Sequence, residues 1–266
     1  YTLEQTKLIH GDCFDELQRL DAESVDCVFA DPPYFLSNGG FSCSGGEMTS
    51  VDKGDWDESR GVDKDYEFTQ EWLEEVRRVM KPDATIWISG THHNIYAVGH
   101  ALKQLGFDIL NEITWFKPNA PPNLSCRYFT HSHETLIWAV KDGDEKHTFN
   151  YDEMKQWPAD NDKIRNAGKQ MRSVWSIPLT PISEKTHGDH PTQKPRELLR
   201  RCILAATNEE DVVLDPFAGS GTTGIPCVRN NRTFIGIERE NEYYELMKKR
   251  LSSVNESLND TVYAVE

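Results

Sequence analysis

The run Val25-Asp26-Cys27-Val28-Phe29-Ala30 is apolar at every position but one and stops on Asp31-Pro32-Pro33-Tyr34. A strand apolar on both sides is one covered on both faces, as in parallel sheets sandwiched by helices. Two prolines at its end withhold two N–H donors and fix two φ angles, so the ladder stops there. The stop displays a carboxylate, stiff carbonyls and an aromatic ring.

Other segments repeat the rhythm. Lys7–His10 runs into Gly11-Asp12, Val212–Asp215 into a glycine-bearing turn, and Thr233–Ile237 into Glu238. Further strands are predicted over 84–89, 107–116 and 135–140, the last of these antiparallel. Helical spacing is read over 15–20, 68–80, 94–105, 196–207, 220–229 and 241–251. Residues 35–65 and 141–186 lack periodicity, and the tail from Ser252 reads as frayed. Alternating strands and helices predict an α/β fold with a doubly wound, mostly parallel seven-stranded sheet. Such sheets bind ligands at the carboxyl ends of their strands, near the switch in strand order.

Val212 to Gly224 reads VVLDPFAGSGTTG. It lacks the Gly-Lys-Ser/Thr of a phosphate-gripping loop and the full GxGxxG of a dinucleotide site. Glu238, at the tip of the next strand, stands where ribose hydroxyls are held. The pattern suits a nucleoside without a pyrophosphate.

Together, DPPY (Asp31–Tyr34) and FAGSG (Phe217–Gly221) give the chain a resemblance to amino-directed DNA methyltransferases that use S-adenosylmethionine. The order of the two motifs, and HPTQKP (His190–Pro195) before the second, is similar to the β group of that family. FLSNGG, SVDKGDWD and NLSCRYFTHS make it most similar to adenine-N6 enzymes of GATC restriction–modification systems. The resemblance implies a permuted Rossmann-like methyltransferase fold. Residues 1–140 would be the catalytic half, 141–186 a target-recognition region, 187–252 the cofactor half and 253–266 a tail. It also implies S-adenosyl-L-methionine as cofactor and DNA as partner, duplex with a flipped base or single-stranded. It admits a homodimer.

An exocyclic amine is a weak nucleophile because its lone pair is delocalised, and acceptors for its N–H bonds favour the pyramidal form that attacks. Asp31 and the Pro32 carbonyl are the expected acceptors, Pro33 the stiffener and Tyr34 a stacking face. The resemblance assigns Asp12, Asp31, Asp215, Phe217, Gly219, Ser220, Gly221, Thr222 and Glu238 to the cofactor, with Thr192 and Lys194 at its amino-acid end. Asp12 also reads as a helix cap. Tyr128 and Phe129 are candidates for stacking on DNA or for the core. A substrate base must leave the helix to reach such a pocket. The leading expectation is that Asp31 and the glycine turn line one cleft.

The chain has 266 residues and a net charge of −15, which argues against a general nucleic-acid coat protein. Between Lys163 and Arg201, however, nine basic side chains stand against three acidic ones. Lys163, Arg165, Lys169 and Arg172 are therefore expected on DNA. The six cysteines show no CxxC pairing, and His187 and His190 lack a second ligand pair, so no metal is expected. With no long apolar run and no leader, the expectation is a cytoplasmic protein without a membrane segment. Asp31 leans the target toward adenine over N4 of cytosine. Competing readings are an RNA or protein-amide methyltransferase, a non-catalytic nucleic-acid module and a dehydrogenase.

Overall fold

The computed structural model describes residues 2–3, 5–37, 41–44, 47–50, 54, 57–123, 125–158, 162 and 164–263. Strands β1 (Thr2–Leu3) and β2 (Thr6–His10) are followed by helix α1 (Cys13–Gln18) and β3 (Val25–Ala30). A hairpin of β4 (Phe41–Ser44) and β5 (Glu47–Ser50) stands apart from the main sheet. Then come α2 (Val62–Val79), β6 (Met80–Gly90), α3 (Ile95–Gln104), β7 (Asp108–Phe116) and β8 (His133–Val140). The chain continues through α4 (Tyr151–Gln156), β9 (Val174–Ser176), α5 (Arg196–Ala206), β10 (Val212–Asp215), α6 (Gly224–Arg229), β11 (Thr233–Glu238) and α7 (Asn241–Tyr263).

The main sheet has the order β1-β2-β11-β10-β3-β6-β8-β7-β9. Strands β2, β11, β10, β3 and β6 are parallel, and β8 runs antiparallel between β6 and β7. The seven expected strands are all present. Two short edge strands extend the sheet to nine, because segments of two and three residues carry no readable period.

Side-chain alternation divides the core between the two faces. Cys27, Phe29, Trp87 and Val213 point into the cluster under α5, α6 and α7. Val28, Ala30, Ile86, Ile88 and Leu214 point into the cluster under α1, α2 and α3. Trp87 and Trp138 stack across β6 and β8 with ring centroids 4.8 Å apart.

Three expectations change. Helix α2 begins at Val62 rather than 68, because its first turn is polar and exposed and the apolar stripe starts only at Thr69 and Trp72. Helix α7 runs on to Tyr263 instead of fraying at 252. Residues 141–186 wrap onto the sheet: Met154, Trp157 and Trp175 lie in the core, and β9 pairs with β7. Cys13, Cys27, Cys202 and Cys227 are buried while Cys126 is exposed. Among the described residues no helix is long and apolar enough to cross a membrane.

Candidate active site

Strand β3 leads through α2 to β6 on one side, and β10 leads through α6 to β11 on the other. The strand order therefore reverses between β3 and β10, where a doubly wound sheet opens a crevice. A cleft of about 330 Å³ lies at that edge. Its walls include Gly11 and Asp12 after β2, Asp31–Phe35 after β3, Phe217 and Gly219 after β10, and Glu238 at the tip of β11. The acid of the early strand and the glycine turn of the late one share this cleft.

Asp31 is held at both oxygens. Oδ1 accepts from the Tyr34 hydroxyl at 2.7 Å, and Oδ2 accepts from the Lys194 ammonium at 2.6 Å. The Tyr34 oxygen also meets Ser89 Oγ at 2.8 Å and Glu134 Oε2 at 3.2 Å. Burial, reinforced by the charges of Asp31 and Glu134, pushes the phenol well above its ordinary pKa, so it stays a hydrogen-bond donor. Tyr34 is thus a buried brace on the cleft wall rather than an open stacking platform. Burial alone would raise the Glu134 pKa, but Lys194 and Lys117 outweigh it and hold the carboxyl at about 2. Burial disfavours the Lys194 charge, yet Asp31 and Glu134 reverse that and raise its pKa.

The loop after Tyr34 hangs on Asp57, which is 1 % exposed. Asp57 Oδ1 accepts from the N–H groups of Tyr34 and Phe35, both at 2.8 Å. Oδ2 accepts from Leu36 N at 3.2 Å and Ser37 Oγ at 3.1 Å. Phe35 sits at φ 58°, a strained setting for a side chain of that size, and the shared carboxylate helps to maintain it.

In the cofactor half, Gly219 and Gly221 take φ of 50° and 72°. Gly219 N donates to Glu238 Oε2 and Glu240 N to Oε1, both at 2.7 Å, which aims the carboxylate into the cleft. Burial raises the Glu238 pKa. Asp12 both caps α1, accepting from Phe14 N at 3.0 Å, and lines the cleft. Phe217 packs edge-on against Trp72 at 5.3 Å.

Asp215, Ser220 and Thr222 line a smaller hollow behind the cleft, which shares Asp31, Thr192, Lys194 and Gly219 with it. Asp215 braces the turn by accepting from Phe217 N and Thr223 Oγ1, and burial lifts its pKa to about 7. Gly221 lines neither space. A Cβ there would lie 2.5 Å from Met247, so this glycine serves the packing of α7 against the turn. Lys194, expected at the cofactor's amino-acid end, lines both spaces and pairs with Asp31 and Glu134.

S-adenosylmethionine fits these residues chemically. Asp12, Asp31 and Glu238 offer carboxylates to hydroxyls and a sulfonium cation, and Phe35, Phe68 and Phe217 offer apolar walls to an adenine ring. At Gly219 an added Cβ would crowd His190 at 3.0 Å. Cys13 also reaches the cleft wall, but burial and the neighbouring Asp12 charge push its thiol up to about 12, which disfavours the thiolate there.

The basic stretch is largely neutralised from within. Arg165 keeps its charge, but its guanidinium is tied to the protein, donating to the carbonyls of Met154, Lys155 and Lys169 at 2.6–2.9 Å. Arg201 is buried against Asp162 and Glu197, Arg196 pairs with Glu184, and Lys185 with Asp189. Lys169 and Arg172 stay exposed, and Lys163 lies outside the described residues. Tyr128 and Phe129 are surface residues rather than core, Phe129 being 96 % exposed. The Tyr128 ring lies 5.6 Å from that of His131, which stacks on His92 at 4.5 Å.

Ser89, Asp57, Lys117, Glu134 and His190 were not singled out as site residues by the motifs. The signals were GDWD, the His190 that opens HPTQKP and the acid near the start of β8 at Glu134, and none carries chemistry until the sheet is assembled.

Comparison with known proteins agrees with the geometry. A family model described as DNA methylase, for N6 and N4 enzymes, matches residues 25–249. Type II methyltransferase M2.LlaDCHI of Lactococcus lactis subsp. cremoris is 54 % identical over 95 % of this chain and 91 % of its own. M2.DpnII of Streptococcus pneumoniae is 53 % identical over 97 % and 93 %, and M2.MboI of Moraxella bovis 48 % identical over 95 % and 90 %. Among solved structures, the M1.HpyAVI–SAM complex superposes with a TM-score of 0.66 at 29 % identity, covering 92 % of this chain and 98 % of that one. PvuII DNA methyltransferase (cytosine-N4-specific) reaches 0.71 at 17 % identity over 96 % and 92 %, a likeness of fold. With its acid and glycine turn in one cleft, the chain belongs to the N6/N4 DNA methylase family and is an S-adenosylmethionine-dependent DNA methyltransferase.

Proposed function

We propose that the enzyme methylates the N6 amino group of adenine in GATC, as the modification arm of a restriction–modification system. The observation that carries this is Asp31 at the end of β3, in one cleft with Glu238 and Gly219. The likeness to M2.DpnII and M2.MboI supports the target and the setting. Such a substrate places the enzyme in the bacterial cytoplasm.

Asp31 accepts one N–H of the target amine and the Pro32 carbonyl accepts the other. The two prolines stiffen the backbone that carries both acceptors before substrate arrives. Bound S-adenosylmethionine supplies the methyl group. Glu238 holds ribose hydroxyls, and Asp12 meets the adenine edge. The base reaches Asp31 only after leaving its stack. The strand beside it runs over the rim of Tyr128, Phe129 and the histidines, with Lys169 and Arg172 on its phosphates.

The test is incubation with labelled cofactor and GATC-containing DNA, duplex and single-stranded, followed by digestion to nucleosides. Label in N6-methyldeoxyadenosine, lost in Asp31→Ala while cofactor binding persists, is the expected result. Label in N4-methyldeoxycytidine, or full turnover by Asp31→Ala, overturns the reading.

A further inference from the structure

The carboxylate that must accept the target amine is covered. Oδ2 of Asp31 accepts from the Lys194 ammonium at 2.6 Å while Tyr34 occupies Oδ1. Positive charge grows on the amine nitrogen as the methyl arrives, and an ammonium on the same oxygen opposes it. Lys194 therefore has to leave Asp31, or its charge weakens the acceptor at the moment of need.

A second seat is built beside the first. Glu134 Oε2 lies 3.5 Å from Lys194 Nζ, on the far side of the Tyr34 hydroxyl, which it meets at 3.2 Å. The ammonium also lies over the Tyr34 ring, 5.1 Å from its centroid, a contact that favours the cation beside both acids. The flexible four-carbon stem of lysine allows the swing. Glu134 is anchored at its other oxygen by Lys117 at 2.5 Å, so it stays in place whichever acid Lys194 holds. Two acids and two ammonium groups make the cluster neutral, and the exchange leaves it so. All four side chains are less than one-fifth exposed, which keeps the ammonium from escaping to water instead.

We infer that Glu134 is a positioning residue that receives the Lys194 ammonium when the target amine enters, uncovering Asp31 Oδ2 as the acceptor. Lys194 bridges the two acids in the free enzyme, closer to Asp31, and shifts wholly to Glu134 in the reactive complex. No bond is made or broken in the exchange, and no proton changes owner. The inference rests on the reading of Asp31 as amine acceptor.

The test is a double-mutant cycle. Glu134→Gln removes the second seat, so kcat falls by about tenfold or more while cofactor affinity is kept. Adding Lys194→Met removes the cover, so the double variant recovers at least about threefold of that loss. A purely structural Glu134 gives a double variant no better than the single one. That result, or Glu134→Gln with unchanged kcat, overturns the exchange. A second measurement needs no substitution: the 15N resonance of the Lys194 ammonium, traced through its side-chain correlations. It is expected to shift when GATC DNA is added with S-adenosylhomocysteine, and an unmoved resonance overturns the exchange even where Glu134→Gln fails to fold. Asp31→Ala separates the two readings. Normal methylation there removes the acceptor role itself, whereas a dead Asp31→Ala with a normal Glu134→Gln removes only the exchange.

Discussion

Replacing Asp57 by alanine tests how the acceptor loop is held. The side chain is far from Asp31 in sequence, yet its two oxygens serve three consecutive backbone N–H groups and the Ser37 hydroxyl. A hydrogen bond to a charged acceptor is worth about 1.5–3 kcal/mol net, and a buried donor left without a partner costs about as much again. The four bonds act as one unit, and water will reach some of the freed donors, so their sum overstates the loss. A loop penalty of about 3 kcal/mol is a reasonable lower figure, corresponding to roughly a hundredfold fall in kcat. The opening is local, so Tm should drop by less than the roughly 6–12 °C that the same penalty would produce if global. Asp57→Asn keeps one acceptor oxygen and should fall between parent and alanine variant. Steady-state methylation, with hydrogen exchange at residues 34–37, measures both quantities. An Asp57→Ala enzyme with kcat within about twofold of the parent, despite faster exchange, would refute the claim that this carboxylate positions the loop.

Three further outcomes are expected. Glu238→Gln weakens cofactor binding by about tenfold; because burial raises the Glu238 pKa, parental affinity falls as pH drops through that raised value, whereas the variant's stays flat, as equilibrium dialysis would record. Asp215 carries the opposite sign for stability. Its folded pKa of about 7 exceeds the ordinary 3.8, so the folded state keeps a proton that the unfolded chain has lost, and stability declines as pH rises between those values. Asp215→Asn lacks that slope, so urea unfolding near pH 5 and near pH 8 should show the variant gaining on the parent at the higher pH. Tyr128→Ala with Phe129→Ala should raise the DNA Kd by about tenfold or more without changing cofactor affinity, read by fluorescence anisotropy.

The sequence made the central strands legible because burial on both faces leaves few polar residues to confuse the pattern. The same logic exposed Asp31 and Glu238, since an acid directly after an apolar run is out of place unless it faces a ligand. Shorter features escaped. Trp157 and Trp175 looked like part of a polar loop, although they anchor residues 141–186 to the core, because one large side chain in each short segment has no period. Glu134 escaped because its meaning depends on pairing: β8 enters antiparallel to β6, with Leu136 opposite Ser89, and only that register carries the acid to Tyr34. Lys194 was assigned to the cleft it lines, but its pairing with Asp31 and Glu134 was not legible, since spacing reveals nearness to a loop and not which carboxylates an ammonium meets.

The internal pairing of the basic stretch has a consequence for how the enzyme searches. Arg165, Arg196 and Arg201 are committed to the protein itself, and the chain as a whole is strongly anionic. Sliding needs a sequence-blind hold on the phosphate track, and these three arginines are not free to supply one. The expected outcome is that two sites on one plasmid become modified independently, with singly modified molecules accumulating before doubly modified ones.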